Sequence, residues 1–307
     1  MNGVRGTEGG VAAMPPAEAP AGPSGRLFDG EAFGALRRGG RAVRRPRWAA
    51  AGQALPWAAA AAALARPGAA LAAAAALAGA AVVQALSPRL SARLAAAAVP
   101  VVMGSVDAAL RDLRTDLLKG LRGRVLDVGC GDAPYLEYAR GNPDVELYVC
   151  VEPNPGLQGA IRARAGRLGP QSFRVEVAAC TLEELPGGAA GYAEGSFDAV
   201  ILGNVLCELP DPAAALAQCR RLLRPGGRVY FCEHVLDGDS PPRRALQRAI
   251  NPWWRVVSDG CNCDRDSVAR LREAFGVGNV LAQTVYLDHI PLPWLARFEL
   301  GLAVRRD

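Results

Sequence analysis

Aromatic residues are scarce in this chain, 6% of 307 residues, and an excess of either charge is missing too, with a net of only +5. No stripe of interleaved basic and aromatic residues runs along it, which excludes the kind of surface that tracks nucleic acid. A second closely spaced cysteine pair is also absent. Of the eight cysteines, Cys130, Cys150, Cys180, Cys207, Cys219, Cys232, Cys261 and Cys263, only the last two stand close together. A lone C-x-C lacks the second ligand pair of a zinc site, so no metal is expected. Several of the others sit in apolar runs such as "LYVCVEP" and "VYFCEHV", as buried free thiols of a reducing compartment do. Long leucine-type hydrophobic runs are wanting as well. The apolar half of the composition is largely alanine, concentrated toward the N-terminus.

What is present divides the chain into three parts. Residues 1–47 are rich in Gly, Pro, Ala and Arg without a sustained period, and read as a disordered extension ending in the basic run "RRGGRAVRRPRW". Residues 48–104 form an alanine-rich apolar helical part. Within it, 48–86 hold "WAAAGQALPWAAAAAALA" and "GAALAAAAALAGAAVVQAL", separated by Arg66-Pro67-Gly68, which would turn a helix back on itself. Each run approaches the ~20 residues that span a bilayer. Three readings stay open for 48–86: a membrane-embedded helix or hairpin, an organelle-targeting segment, and a soluble packing helix.

From residue 105 to 307 the pattern changes. "SVDAALRDLRTDLLKGL" spaces its apolar residues as a helix does. Strand-like segments then alternate with helical ones: "RVLDVG", "ELYVCVE", "FRVEVAA", "FDAVILG" and "GRVYFCEHV". The clearest helix is "PAAALAQCRRLLRPGG", with Pro212 at its start and Gly226-Gly227 past its end. Near-continuous apolar strands between helices predict a parallel sheet covered on both faces, a doubly wound α/β domain.

In such a sheet a ligand binds beyond the carboxyl ends of the strands, where the strand order reverses. The stretch "VLDVGCGDAP" at 125–134 is the first strand and its turn, with Gly129 and Gly131 able to bring the backbone close to a ligand. The second strand, "YVCVEPN", ends in Glu152 about 20 residues on, the spacing of an acid that binds ribose hydroxyls. A dinucleotide site would want a third glycine at 134, where this chain has proline, and would set Asp127 near a pyrophosphate. S-adenosylmethionine has no phosphate and carries a sulfonium and an amino group, which a carboxylate favours. The turn therefore reads as a methyl-donor site.

The chain here resembles the class I S-adenosylmethionine-dependent methyltransferases, in particular the type 11 methyltransferase domain. The resemblance rests on "VLDVGCG", "VEPN", "TLEELP", "GSFDAVILGNVLCEL" and "RRLLRPGGRVYFCEHV" in the family's order, over roughly residues 110–235. It implies a Rossmann-like seven-stranded sheet with the last strand antiparallel. It also implies that Asp127, Gly129, Cys130 and Gly131 approach the methionine part of the donor and Glu152 the ribose. Pro153 and Asn154 would flank the adenine, Thr181 and Leu182 its amino edge, and Asn204 and Val205 the reactive sulfonium. Downstream, "CEHV" and "NPWWRVVSDGCNCDRDSVARL" resemble the methyltransferase-like small-molecule thiol S-methyltransferases, anchored to endoplasmic reticulum and lipid droplets by an N-terminal hydrophobic segment. That implies a membrane-associated, monomeric enzyme with an intracellular catalytic domain; an organelle-targeted or cytoplasmic location is the alternative. Ala133 and Cys180-Thr181 depart from the family's usual residues.

Methyl transfer is an in-line displacement whose leaving group departs neutral, so alignment in a dry pocket carries most of it. A thiol near its ordinary pKa is only partly ionised at neutral pH and gains from a base. His234, directly after the fifth strand, is the first candidate, and Asp259 in the "DGCN" turn is the second. Trp253, Trp254, Pro291, Pro293 and Trp294 suggest an apolar acceptor lid or ordinary core. The reading is S-methylation of a small lipophilic thiol. O- or C-methylation of a quinone, phenol or lipid is the alternative, and an inactive donor-binding interaction module the third.

Overall fold

The structure is a computed structural model that describes residues 104, 106–169, 172–185, 191–258, 260–287, 290 and 292–307. The extension at 1–47 and the apolar segment at 48–86 lie outside the described residues, as do Asp259 and Pro291. Among the described residues no helix is long and apolar enough to cross a membrane.

The alternation read from the sequence is a single seven-stranded sheet. Its strands are β1 (Gly123–Val128), β2 (Val145–Val151), β3 (Arg174–Ala178), β4 (Phe197–Gly203), β5 (Leu223–His234), β6 (Val280–Tyr286) and β7 (Arg297–Val304), in the spatial order β3-β2-β1-β4-β5-β7-β6. The first five pair in parallel, and β7 runs antiparallel to both β5 and β6. The helices are α1 (106–118), α2 (Gln158–Arg167), α3 (Pro212–Leu222), α4 (Pro241–Val257) and α5 (Ser267–Phe275).

Strand periodicity splits the core into two layers. On one face Val125, Tyr148, Cys150, Ile201 and Tyr230 pack with Leu110 and Leu117 of α1 and Ile161 of α2. On the other, Leu126, Val149, Val200, Leu202 and Phe231 pack with Leu216 and Leu222 of α3 and Leu271 of α5. Helix starts are fixed by acids: Asp211 accepts from Ala213 and Ala214 N, both at 3.0 Å, and Asp266 from Ala269 N at 2.9 Å. Pro212 at the first turn of α3 loses no helical bond there.

One boundary differs from the sequence reading. The "RPGG" expected to close α3 belongs to β5, which begins at Leu223 opposite Phe197. The ladder shifts register between Phe197 and Ala199, which absorbs the extra residues as a bulge does. At the far end of β5 this leaves Glu233 and His234 at the mouth of the sheet. The chain steps from β1 outward to β3, then returns to β4 on the other side of β1, so the crevice opens between β1 and β4.

Candidate active site

The turn after β1 sits at that crevice. Gly129 and Gly131 have φ of 57° and 58°, and Ala133 follows at 60°. Glycine at 129 is required by space as well as by φ, since a Cβ there would lie 2.4 Å from Val205 Cγ2. Cys130 is buried in the turn, its N–H bonding the Val151 carbonyl at 3.1 Å. The first turn is thus locked between the ends of β2 and β4.

Asp127 lies under this turn, 1% exposed, and accepts a 2.7 Å hydrogen bond from the Tyr148 hydroxyl. Burial, offset in part by that bond and reinforced by Glu152, pushes its carboxyl from 3.8 up to about 7. A cation arriving above the turn would favour the ionised form. Glu152, at the end of β2, accepts from Gly131 N at 3.0 Å through one oxygen and from Asn154 N at 2.9 Å through the other. Each carboxylate oxygen keeps a second lone pair for a ribose hydroxyl. Gln158 Nε2 holds the Glu152 carbonyl at 2.7 Å.

The remaining donor candidates flank this centre. Pro153 and Asn154 are exposed beyond β2, with Asn154 Oδ1 accepting from Gly156 N at 2.9 Å. Beyond β3, Thr181 N donates to Glu184 Oε2 at 2.8 Å, and Leu182 is buried in the second core layer. Asn204 ends β4 at φ 55°, its N–H on the Cys232 carbonyl at 3.0 Å and its side-chain oxygen buried without a partner. The positive φ and the unpartnered oxygen set Asn204 apart from the rest of the strand end. Val205 covers Gly129 directly.

A second buried group of polar side chains begins one strand further along. Glu233 is fully buried, and one of its oxygens accepts from Val205 N at 3.0 Å and Leu206 N at 3.2 Å, tying the β5 end to the loop after β4. Burial pushes this carboxyl up to about 7, although His234 and those two amides pull it down. His234 Nε2 lies 3.1 Å from Cys261 Sγ, and Trp254 Nε1 donates to the same sulfur at 3.3 Å. The hydrogen bond with Cys207, then His234 and Trp254, draw the Cys261 thiol down to about 4 against the effect of burial. Burial pulls His234 down, but Cys261, Glu233 and Glu208 together raise the imidazole above its ordinary value.

Other residues entered the site without a sequence signal. Tyr148 was one more strand residue until the register set it on the face of Asp127. Asn262 binds the Cys207 carbonyl through both N, at 3.0 Å, and Nδ2, at 2.8 Å, stapling the "DGCN" turn to the loop after β4. Gln247 Nε2 reaches the carbonyls of Val235, Cys263 and Trp294, joining α4 to three segments. Of the tryptophans, Trp254 and Trp294 meet edge-on, with ring centroids 5.6 Å apart, and pack against the first core layer. Trp253 stands beside Trp254, and Pro293 starts a short 3-10 turn with Trp294.

The chain is similar in sequence to known proteins. Residues 126–231 match the family model described as a methyltransferase domain. The human thiol S-methyltransferase TMT1A is 32% identical over 173 residues, 55% of this chain and 65% of that protein. A ubiquinone biosynthesis O-methyltransferase of Alkalilimnicola ehrlichii is 38% identical over 125 residues, 39% of this chain and 45% of that one. Among solved structures, the YcgJ protein of Bacillus subtilis is 16% identical with a TM-score of 0.48, over 63% of this chain and 98% of that one. The chain spans a little under two thirds of the length of the human relative, at 65%. Residues 126–231 therefore form a methyltransferase domain, and the likeness to the human thiol S-methyltransferase extends beyond it.

Proposed function

We propose that the chain transfers the methyl group of S-adenosylmethionine to a small lipophilic thiol. The observation that carries this reading is the extent of the likeness to the human thiol S-methyltransferase. It runs over 173 residues, longer than the domain at 126–231, so it takes in more of the chain than the donor motifs. The geometry agrees with it. In this reading Asp127 and Glu152 take the two ends of the donor and Asn204 and Val205 its sulfonium; what supports it is that Glu233 links the Val205 loop to the strand end bearing His234. His234 and Asp259 belong to the acceptor side, where a thiol must become a thiolate before it attacks. The donor's sulfur leaves neutral, so no acid is needed opposite.

The second reading, methylation of a phenol or quinol oxygen, draws on the likeness to the ubiquinone biosynthesis O-methyltransferase. The two separate in one assay. The full chain is incubated with methyl-labelled donor and, individually, an alkyl thiol, a phenol and a quinol. The expected product is the labelled thioether. Label on the oxygen acceptors alone moves the chain to the second reading. No transfer despite donor binding would make it a binding module.

A further inference from the structure

Two thiol sulfurs and an imidazole nitrogen converge beyond the ends of β4 and β5 from distant parts of the chain. Cys207 Sγ, His234 Nε2 and Cys261 Sγ all lie within 4.8 Å of one another, and all three residues are buried. Bonds that do not use these atoms hold the three segments in place. The amide and side chain of Asn262 grip the Cys207 carbonyl, and Glu233 grips the amides of Val205 and Leu206. His234 is set by the pairing of β5 with β7 opposite Phe298, whose ring meets the imidazole edge-on at 6.2 Å. Cys207 also donates its thiol to the Asn204 carbonyl at 3.3 Å. Cys263, the sequence neighbour of Cys261, turns away to Asn251 Oδ1 and the Gln247 carbonyl, each at 3.5 Å. The cluster is therefore built by the fold and not by the C-x-C spacing.

We propose that Cys207, His234 and Cys261 bind a zinc-class divalent ion with its fourth position open. Two thiolates and a neutral imidazole are a standard tetrahedral zinc donor set. Their two negative charges offset the two of the ion, so a buried site next to a cationic donor carries no net charge. Structural zinc sites close with four protein ligands, whereas three leave a position for a substrate. Among the described residues the cluster has three members. The Trp254 N–H on Cys261 Sγ supplies the outer hydrogen bond that orients a metal-bound thiolate.

The role of the open position rests on the thiol reading above. An acceptor R–SH binds the ion through sulfur and loses its proton to water. A lone pair of the bound thiolate then forms the new carbon–sulfur bond to the donor methyl. The methyl–sulfonium bond breaks with its electron pair going to the sulfur of S-adenosylhomocysteine. The neutral thioether is a poorer ligand and dissociates.

The test uses the full chain. Elemental analysis after dialysis should find about one zinc per chain, the occupancy of a single site, removable by a chelator. The cobalt-substituted protein should show thiolate-to-cobalt charge-transfer absorption, lost in Cys207→Ser, in Cys261→Ser and, in its ligand-field bands, altered in His234→Asn. Calorimetry with S-adenosylhomocysteine checks that each variant still folds and binds the donor product. An alkyl thiol should shift the cobalt bands, and a phenol or a thioether should not. A chain that binds S-adenosylhomocysteine but takes up neither zinc nor cobalt overturns the proposal, as does a charge-transfer band that survives Cys261→Ser. An ion on these three residues that ignores added thiol overturns the open position, while the acceptor assay decides the thiol reading separately.

Discussion

At the scale of single residues, Asp127 shows how a binding site weakens the fold that carries it. Its carboxyl is buried against Tyr148 with a pKa raised from 3.8 to about 7. The neutral form is thus favoured by folding, a contribution fully present below pH ~4 and lost as pH rises through about 7. Above pH 7 the ionised group opposes folding until a cation comes to rest near it. Asp127→Asn keeps an acceptor for Tyr148 and removes the charge. Its melting temperature at pH 8 should exceed that of the parent by several degrees, at the ~2–4 °C per kcal/mol typical of this size, and the gap should close toward pH 4. Affinity for S-adenosylmethionine should rise with pH up to about 7 in the parent and stay flat and weaker in Asp127→Asn. Scanning calorimetry and titration calorimetry across pH 4–8 read both, the range being set by the shift from 3.8 to about 7. An unchanged pH profile in the variant would remove Asp127 from donor binding.

The residue scale is also where sequence reading reached its limit. Asp127, Gly129, Gly131 and Glu152 were legible because a single strand–turn–strand unit carries their spacing. Tyr148 was not, because its meeting with Asp127 depends on the register of β1 against β2. Cys207, His234 and Cys261 come from three separate segments, so no spacing along the chain marks them as a cluster, and the close pair Cys261–Cys263 carried no metal expectation.

Among the elements, β7 is the place where the sheet is least tolerant. It lies between β5 and β6, antiparallel to both, and brings Gly301 opposite Ala282 and Phe231. A Cβ on Gly301 would come 1.9 Å from the Leu281 carbonyl oxygen and 2.8 Å from Phe231 Cζ. The carbonyl belongs to backbone and cannot rotate away, so β6 must shift. Gly301→Ala should therefore destabilise the chain by ~1–3 kcal/mol, the usual range for overpacking, measured by denaturant unfolding. The substitution Gly131→Ala is a useful contrast, since its Cβ meets nothing within 4 Å and only its φ of 58° is strained. Equal stability of Gly301→Ala and the parent would mean that the β6–β7 ladder is looser than its register shows. The strand and helix types were legible from periodicity, but the start of β5 was not. Its "RPGG" carries strong turn signals, which the register shift against β4 overrides.

For the molecule as a whole, the α/β class and the antiparallel last strand agree with the sequence expectation. The segment at 48–86 is apolar over a long run, yet its alanines are only weakly lipophilic. We propose that it associates the chain with a membrane surface. The full chain should then co-sediment with vesicles, and deletion of 48–86 should release it. Equal sedimentation of both would favour a packing or targeting role for that segment. The turn after β1 and the cluster of Cys207, His234 and Cys261 meet at a single loop, Asn204–Cys207, which packs on Gly129 through Val205 and reaches Cys261 through Cys207. We propose that donor and acceptor face each other across that shared loop. Determining the structure of the full chain with S-adenosylhomocysteine bound tests this most directly. The ribose hydroxyls are expected on Glu152, the amino-acid end over Gly129 and Gly131, and the sulfur facing the opening toward His234 and Cys261. A nucleoside lying away from Glu152, or a sulfur directed away from that cluster, would contradict it.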